Sequence, residues 1–413
     1  MDVKTVCQQA KAASYSLQAL TTEEKNAILL AFGEALKARM KEILKANDED
    51  LAEADKNQMR ASLKDRLILD DKRILDMALS LVDLAALKDP VGQVDETWTT
   101  AEGLHISKIR VPIGVLGMIY EARPNVTLDA GAIALKTGNT VVLKGGKEAI
   151  HTNIALVRIL QSTLKAMGHS EHFIQLIEST DRAATMEFMT MKDYVDVLIP
   201  RGSERLIKSV MEHSKIPVLE TGAGNCHIFV DAESRETMAI PIIDNAKTQR
   251  PSVCNAAEKV LVHEAIAESF IPKLHEALKD RVTFKGCGRT LEILPGIEAL
   301  TEEELYQEFL DYVLGVIVVK DYKAAVDHIN QYSSSHSESI ITDNPSHAAY
   351  FLAHVMSSTV YHNASTRFTD GGMFGYGAEI GISTSKLHAR GPMGLKEMTT
   401  IKNVVRGTGQ IRK

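Results

Sequence analysis

The sequence predicts an α/β protein made of two doubly wound parallel-sheet domains and a small β arm. Three observations predict it. From residue 113, short runs of β-formers alternate with helical runs, which is the pattern of parallel strands joined by crossover helices. A second alternation of this kind runs from about Ala239 to Ser385. Before the first, residues 93–112 alternate polar and β-forming side chains with period two and read as a hairpin-like arm.

In order along the chain, residues 1–90 read as helices. Thr21-Thr22-Glu23-Glu24 is a capping box, in which the Thr21 hydroxyl and the Glu24 carboxylate satisfy free amides. Ile28, Leu29, Phe32, Leu36, Met40, Ile43 and Leu44 come next at helical spacing, and Asp89-Pro90-Val91-Gly92 ends the helical part. In the arm, Thr97-Trp98-Thr99-Thr100 and His105 to Val111 flank Gly103. Val115 to Tyr120 is a strand, Leu128 to Lys136 a helix and Thr140 to Lys144 a second strand, before a helix through Ile154 to Leu160. Phe173 to Leu176, Val195 to Ile199 and Pro217 to Leu219 continue the series. In the second alternation, Lys259 to Val262 and Val313 to Val319 are strands, and Gly371 to Gly377 is a glycine-rich loop. The tail, Thr399 to Val405, reads as a further β-segment.

A chain of 413 residues exceeds one hydrophobic core, so two or more domains are expected. The net charge of −7 argues against a nucleic-acid or anionic-membrane partner. Cys7, Cys226, Cys254 and Cys287 are widely spaced with no CxxC pair, so neither a metal site nor a disulfide framework is expected. Residues 1–4 open no signal peptide and no apolar run reaches membrane-spanning length, which points to a cytoplasmic protein with no membrane contact.

Candidate chemistry concentrates in four places. Gln249-Arg250-Pro251-Ser252-Val253-Cys254-Asn255-Ala256 sets a cysteine after a proline-bearing loop and before a helix-like run. A helix N-terminus and nearby cations, here Lys247 and Arg250, favour the nucleophilic thiolate. Lys144-Gly145-Gly146-Lys147 is a strand-to-helix turn whose amides and lysines suit a phosphate or ribose, or else a plain turn with solvated lysines. Ile199-Pro200-Arg201-Gly202-Ser203-Glu204 is a second such turn, with Ser203 placed to cap a helix that offers amides to a diphosphate. Glu220 ends a strand ahead of Gly222 and Gly224, where it serves as an acid/base or caps the turn. Cys226 reads as a buried small hydrophobe, Cys287 as a loop residue, and Cys7 carries no functional signal.

Taken together, Arg250 to Ala256, Glu220-Thr221-Gly222 and Val142-Leu143-Lys144-Gly145 resemble the aldehyde dehydrogenase superfamily, including the 34-residue separation of Glu220 from Cys254. Longer strings resemble, within it, the γ-glutamyl phosphate reductase family: Tyr120 to Thr127, Asn245 to Asn255, Ser335 to Ile340 and Gly381 to Leu395. The likeness spans nearly the whole chain and is to the single-function form, not to the form fused to a kinase. It implies an aldehyde-dehydrogenase-like fold, with a cofactor-binding domain over 1–230 to which 386–396 returns. A catalytic domain would span 231–385, and an oligomerisation arm would combine 93–112 with a 397–413 strand that crosses to a partner subunit.

The activity implied is NADPH-dependent reduction of L-glutamate 5-phosphate to L-glutamate 5-semialdehyde and phosphate, the second step of proline biosynthesis from glutamate. Cys254 would form a thioester. Lys144, Gly145, Lys147, Gly202 and Ser203 would bind NADP, with either Glu308 or Asp311 as a further cofactor carboxylate. Arg123, Lys247 and Arg250 would meet the substrate's anionic groups. Asn125 lies near, but out of register with, the superfamily's oxyanion asparagine, and the hydrolytic role of Glu220 is not needed for acyl transfer to phosphate. The implied partners are a small-molecule substrate, a second copy in a homodimer or homotetramer, and glutamate 5-kinase in transient contact. Two other readings are an acylating dehydrogenase that uses a coenzyme A thioester and a non-catalytic binding protein of the same fold.

Overall fold

The computed structural model describes the backbone of residues 2–59 and 61–412, and the side chains of all of these except 61–63. The chain forms two compact units: residues 1–220 with 376–381 and 393–413, and residues 221–375 with 382–392.

The first unit opens with helices. Val3–Leu17 starts at Asp2, whose carboxylate accepts the Thr5 N–H at 2.8 Å. Thr22–Ala38 starts at the expected capping box, with Thr21 Oγ1 accepting from Glu24 N at 3.2 Å and Glu24 Oε2 from Thr21 N at 2.7 Å. Ile28, Leu29, Phe32 and Leu36 are fully buried, as their helical spacing requires. Gly33 lets this helix approach Asp71–Ala86, since a Cβ there would meet the Ala78 carbonyl oxygen at 3.2 Å.

An arm comes next, with β1 (Val94–Thr99) antiparallel to β2 (His105–Pro112). Then come β3 (Val115–Tyr120), β4 (Thr140–Gly145), β5 (Ile174–Leu176) and β6 (Val197–Arg201), all parallel in the order β5-β4-β3-β6. Every residue of β3 and β4 is buried, which explains their unbroken apolar character. The strand expected at Pro217–Leu219 reduces to one bridge between Leu198 and Val218.

The tail forms the expected β-segment and pairs within its own chain. Thr399–Arg406 does not need a partner subunit to pair: it lies antiparallel along the whole of β2, from Thr399 opposite Pro112 to Arg406 opposite His105. Asn139 anchors its start, donating through Nδ2 to the Met398 carbonyl at 2.8 Å. A β-hairpin alone is marginal in water, so an in-chain third strand is the nearer source of stability.

The second unit holds a seven-stranded, all-parallel sheet. Its strands are β7 (Cys226–Val230), β8 (Ala257–His263), β9 (Thr283–Gly286), β10 (Glu298–Ala299), β11 (Val313–Val319), β12 (Ser337–Ile341) and β13 (Thr359–His362). Their order is β10-β9-β11-β8-β7-β12-β13. β7 lies between β8 and β12, so the division between units falls at Glu220 and not at residue 230. The returning segments, 376–381 and 393–413, likewise differ from the expected 386–396.

Candidate active site

Cys254 lies in a run of turns between the helix Glu236–Thr248 and β8. The expected helix after it does not form. Ala256-Ala257-Glu258 resembles a helix start, but Lys259-Val260-Leu261-Val262 fits a buried strand and pairs with both β7 and β11. Pro251 keeps the preceding helix from continuing. The segment after Cys254 therefore supplies no helix N-terminus to the thiol.

Burial sorts the cysteines. Cys7 and Cys226 are fully buried, and burial pushes the Cys7 thiol up to about 12 and the Cys226 thiol well above its usual value. Cys254 and Cys287 are partly exposed. Cys287 sits at the start of helix Gly288–Ile293, where its sulfur accepts from Val318 N at 3.4 Å. A thiol open to solvent and beside cations is the reactive kind, which singles out Cys254.

The loop around Cys254 is held from several sides within the second unit. Cys226 Sγ donates to the Cys254 carbonyl at 3.2 Å. Gly224 packs so tightly on that carbonyl that any Cβ would overlap it. The Gly224 N–H is in turn taken by Glu308 Oε1 at 2.9 Å. Asp311, the other candidate cofactor carboxylate, is exposed and binds the Tyr312 N–H at 2.8 Å. Glu308 is thus the one tied to the segment that supports the nucleophile.

Arg250 is exposed on the same loop. Lys247 is not available to a substrate: its side chain is 0% exposed and pairs with Glu258, also 0% exposed, at 3.0 Å. Sequence proximity to Cys254 suggested a surface role, but the helical phase of Glu236–Thr248 turns Lys247 inward. Burial lowers the Lys247 pKa against the pull of Glu258, and pushes Glu258 up to about 7 against the pull of Lys247. Lys259 completes this buried cluster, donating to Asn225 Oδ1 at 2.8 Å and to the Gln307 carbonyl.

Arg367, which no sequence motif marked, lies in the short turn Thr366–Phe368. Its Nε donates to Gln249 Oε1 at 2.9 Å and its Nη1 to Asn255 Oδ1, so it reaches both flanks of the cysteine loop. The 112 positions between Asn255 and Arg367 hid this contact from any local motif.

In the first unit, the remaining candidates gather at the carboxyl ends of β3, β4 and β6, where open parallel sheets place their ligands. Lys144 is the next-to-last residue of β4, is 4% exposed and donates to the Gly145 carbonyl at 2.9 Å. Burial lowers its pKa, while Glu148 and Asp181 raise it. Lys147 is exposed. A Cβ on Gly145 would strike the buried Asn153 amide, and one on Gly202 would meet the ends of the Glu121 and Leu206 side chains. Ser203 caps the helix Glu204–His213 through Leu206 N at 3.4 Å. Glu121 accepts the Ser203 N–H at 2.7 Å.

Arg123 begins the helix Pro124–Lys136. Asn125, exposed in its first turn, donates to Asp129 at 3.0 Å. Burial pushes the Asp129 carboxyl up to about 6, with Asn125 and the Arg201 charge pulling it back. Asp129 was also missed, since nothing in Leu128-Asp129-Ala130 marks a titrating group. Glu220 is the last residue of the first unit and is partly buried.

A family model for the aldehyde dehydrogenase family matches residues 1–306. A gamma-glutamyl phosphate reductase of Caldanaerobacter subterraneus is 53% identical over 414 aligned residues, covering 100% of both chains. One from Clostridium perfringens is 52% identical over 98% of each. The crystal structure of gamma-glutamyl phosphate reductase from Thermotoga maritima superposes with a TM-score of 0.98 at 46% identity, over 100% of both chains.

Proposed function

Since this chain belongs to the aldehyde dehydrogenase family and, within it, to the gamma-glutamyl phosphate reductases, we propose that it reduces L-glutamate 5-phosphate to L-glutamate 5-semialdehyde and phosphate with NADPH. This is the second step of proline biosynthesis from glutamate. The observation that carries the reading is Cys254, a partly exposed thiol on a loop that is pinned by Gly224, carries the exposed Arg250 and is held on both flanks by the Arg367 guanidinium.

The Cys254 thiolate attacks the carbonyl carbon of the acyl phosphate. The S–C bond forms, the backbone N–H of Cys254 steadies the tetrahedral oxyanion, and the C–O bond breaks with its electron pair on phosphate. A thioester on Cys254 results. A nicotinamide cofactor, when bound, would supply hydride to this carbon, and the C–S bond would break with its electron pair returning to Cys254 as thiolate, which frees the aldehyde. Release of phosphate needs no activated water, so Glu220 moves no proton here.

The first unit is the cofactor unit in this reading, and its turns fit the group. Gly145 and Gly202 leave backbone bare, Ser203 heads a ten-residue helix, and Lys144 and Lys147 add charge suited to a 2′-phosphate. Glu308 serves as the further cofactor carboxylate. The family signature and the arm favour a homodimer or homotetramer, joined through the outer edge of Thr399–Arg406. Glutamate 5-kinase is the source of the labile acyl phosphate and a transient partner. No helix among the described residues is long and apolar enough to cross a membrane, and the cytoplasm is the proposed location.

The test is phosphate-dependent reduction of NADP by glutamate semialdehyde. Cys254→Ala is expected to abolish turnover while the protein stays folded by circular dichroism. Turnover at the wild-type rate in this variant would remove the covalent step.

A further inference from the structure

Arg367 takes no part in the covalent steps described for Cys254, yet its setting is that of an anion receptor. Its turn and the nucleophile's loop are fastened together. Arg367 Nε and Nη1 donate to Gln249 and Asn255. Asn255 Nδ2 donates back to the Thr369 carbonyl at 2.9 Å and the Arg367 carbonyl at 3.3 Å, and Thr366 Oγ1 donates to the Asn255 carbonyl at 2.7 Å. Asn255 is 5% exposed, so this link is interior and fixed.

Among the described residues, the side chains that accept from the guanidinium are the neutral amides of Gln249 and Asn255, which engage two of its five N–H groups. The charge sits half-buried beside a second cation. Burial and Arg250 lower the Arg367 pKa, while the Cys254 thiolate and Asp370 raise it. Partial burial of a guanidinium on neutral partners is costly unless an anion arrives to meet it.

We propose that Arg367, assisted by Arg250, is the receptor for the phosphate group at the reacting carbon. This rests on the acyl-phosphate activity proposed for Cys254. The phosphate is the anionic group bonded next to the carbon that Cys254 attacks, whereas the substrate's α-carboxylate lies three methylene or methine carbons further away. The guanidinium fork binds two phosphoryl oxygens and stabilises the dianion as the C–O bond breaks. In reverse, inorganic phosphate held there attacks the thioester carbon, its oxygen forms the C–O bond, and the sulfur leaves as thiolate.

The experiment uses Arg367→Gln and Arg367→Lys in phosphate-dependent oxidation of glutamate semialdehyde. Arg367→Gln is expected to raise KM for phosphate by about tenfold or more, with KM for semialdehyde and NADP within about twofold. Arg367→Lys keeps the charge and loses the fork, and is expected to fall between. Inorganic phosphate is also expected to slow alkylation of Cys254 by iodoacetamide in the wild type and not in Arg367→Gln, a readout that needs no turnover. An unchanged phosphate KM, equal phosphate protection in the two proteins, or a selective rise in semialdehyde KM would overturn the assignment, the last by placing the α-carboxylate there. Absence of phosphate-dependent turnover in the wild type is a different failure, that of the activity itself, and it removes this inference with it.

Discussion

At the scale of single residues, small changes of position separate a working site from an inert one. Gly224 is the clearest case. Its Cα faces the Cys254 carbonyl with no room for a methyl group, so Gly224→Ala has to move the nucleophile's loop, the Glu308 contact or both. A displacement of about 1 Å in a catalytic group can cost about 10²-fold in rate. Gly224→Ala is therefore expected to lower kcat by about 10²-fold with little change in thermal stability of the first unit. Unchanged kcat would mean that the loop tolerates the shift. Lys247 carries the opposite lesson. It stands seven positions before Cys254, yet its charge is spent in the interior on Glu258. Removing it would leave a buried carboxylate unpaired, which belongs to stability and not to substrate binding.

At the scale of elements, the arm shows how a strand's meaning depends on its neighbour. Residues 93–112 form the hairpin that their alternation predicts, but its second strand also pairs with Thr399–Arg406 of the same chain. Asn139 ties the start of that strand to the sheet-bearing part of the unit. Truncation after Met398 leaves β2 with a bare edge and a two-stranded hairpin that cannot persist alone. The expected outcome is rapid proteolysis within residues 94–112 and a monomer mass by light scattering. A truncated protein of full oligomeric mass would show that the tail strand's outer edge does not join subunits.

At the scale of the whole molecule, each unit has its own parallel sheet and its own core. If the first unit binds the cofactor, NADP is expected to protect amides of 145–147 and 202–206 from hydrogen exchange, and to raise the melting temperature as its concentration passes Kd. Protection confined to 221–375 would reverse the assignment of the two units.

Strong local patterns were legible along the chain: the capping box at Thr21, the buried runs of β3, β4 and β11, the glycine turns at 145 and 202, and the cysteine of Arg250-Pro251-Ser252-Val253-Cys254-Asn255. These depend on backbone propensity, on period, or on a long string of specific residues, all of which are written in order of sequence. Folding decided that the strand over Lys259 to Val262 starts already at Ala257 with no helical turn before it, that Lys247 faces inward, that β7 belongs to the second sheet, and that Arg367 comes to the nucleophile. Each of these depends on which distant segment supplies the other half of a contact. Ala256-Ala257-Glu258 is compatible with helix or strand until β7 and β11 pair with Lys259 to Val262. Arg367 is an ordinary surface-like arginine until folding brings it across 112 positions to Asn255. The elements and the reacting atom were set by local sequence; tertiary pairing chose the charges that surround that atom, because charge is felt through space and not along the chain.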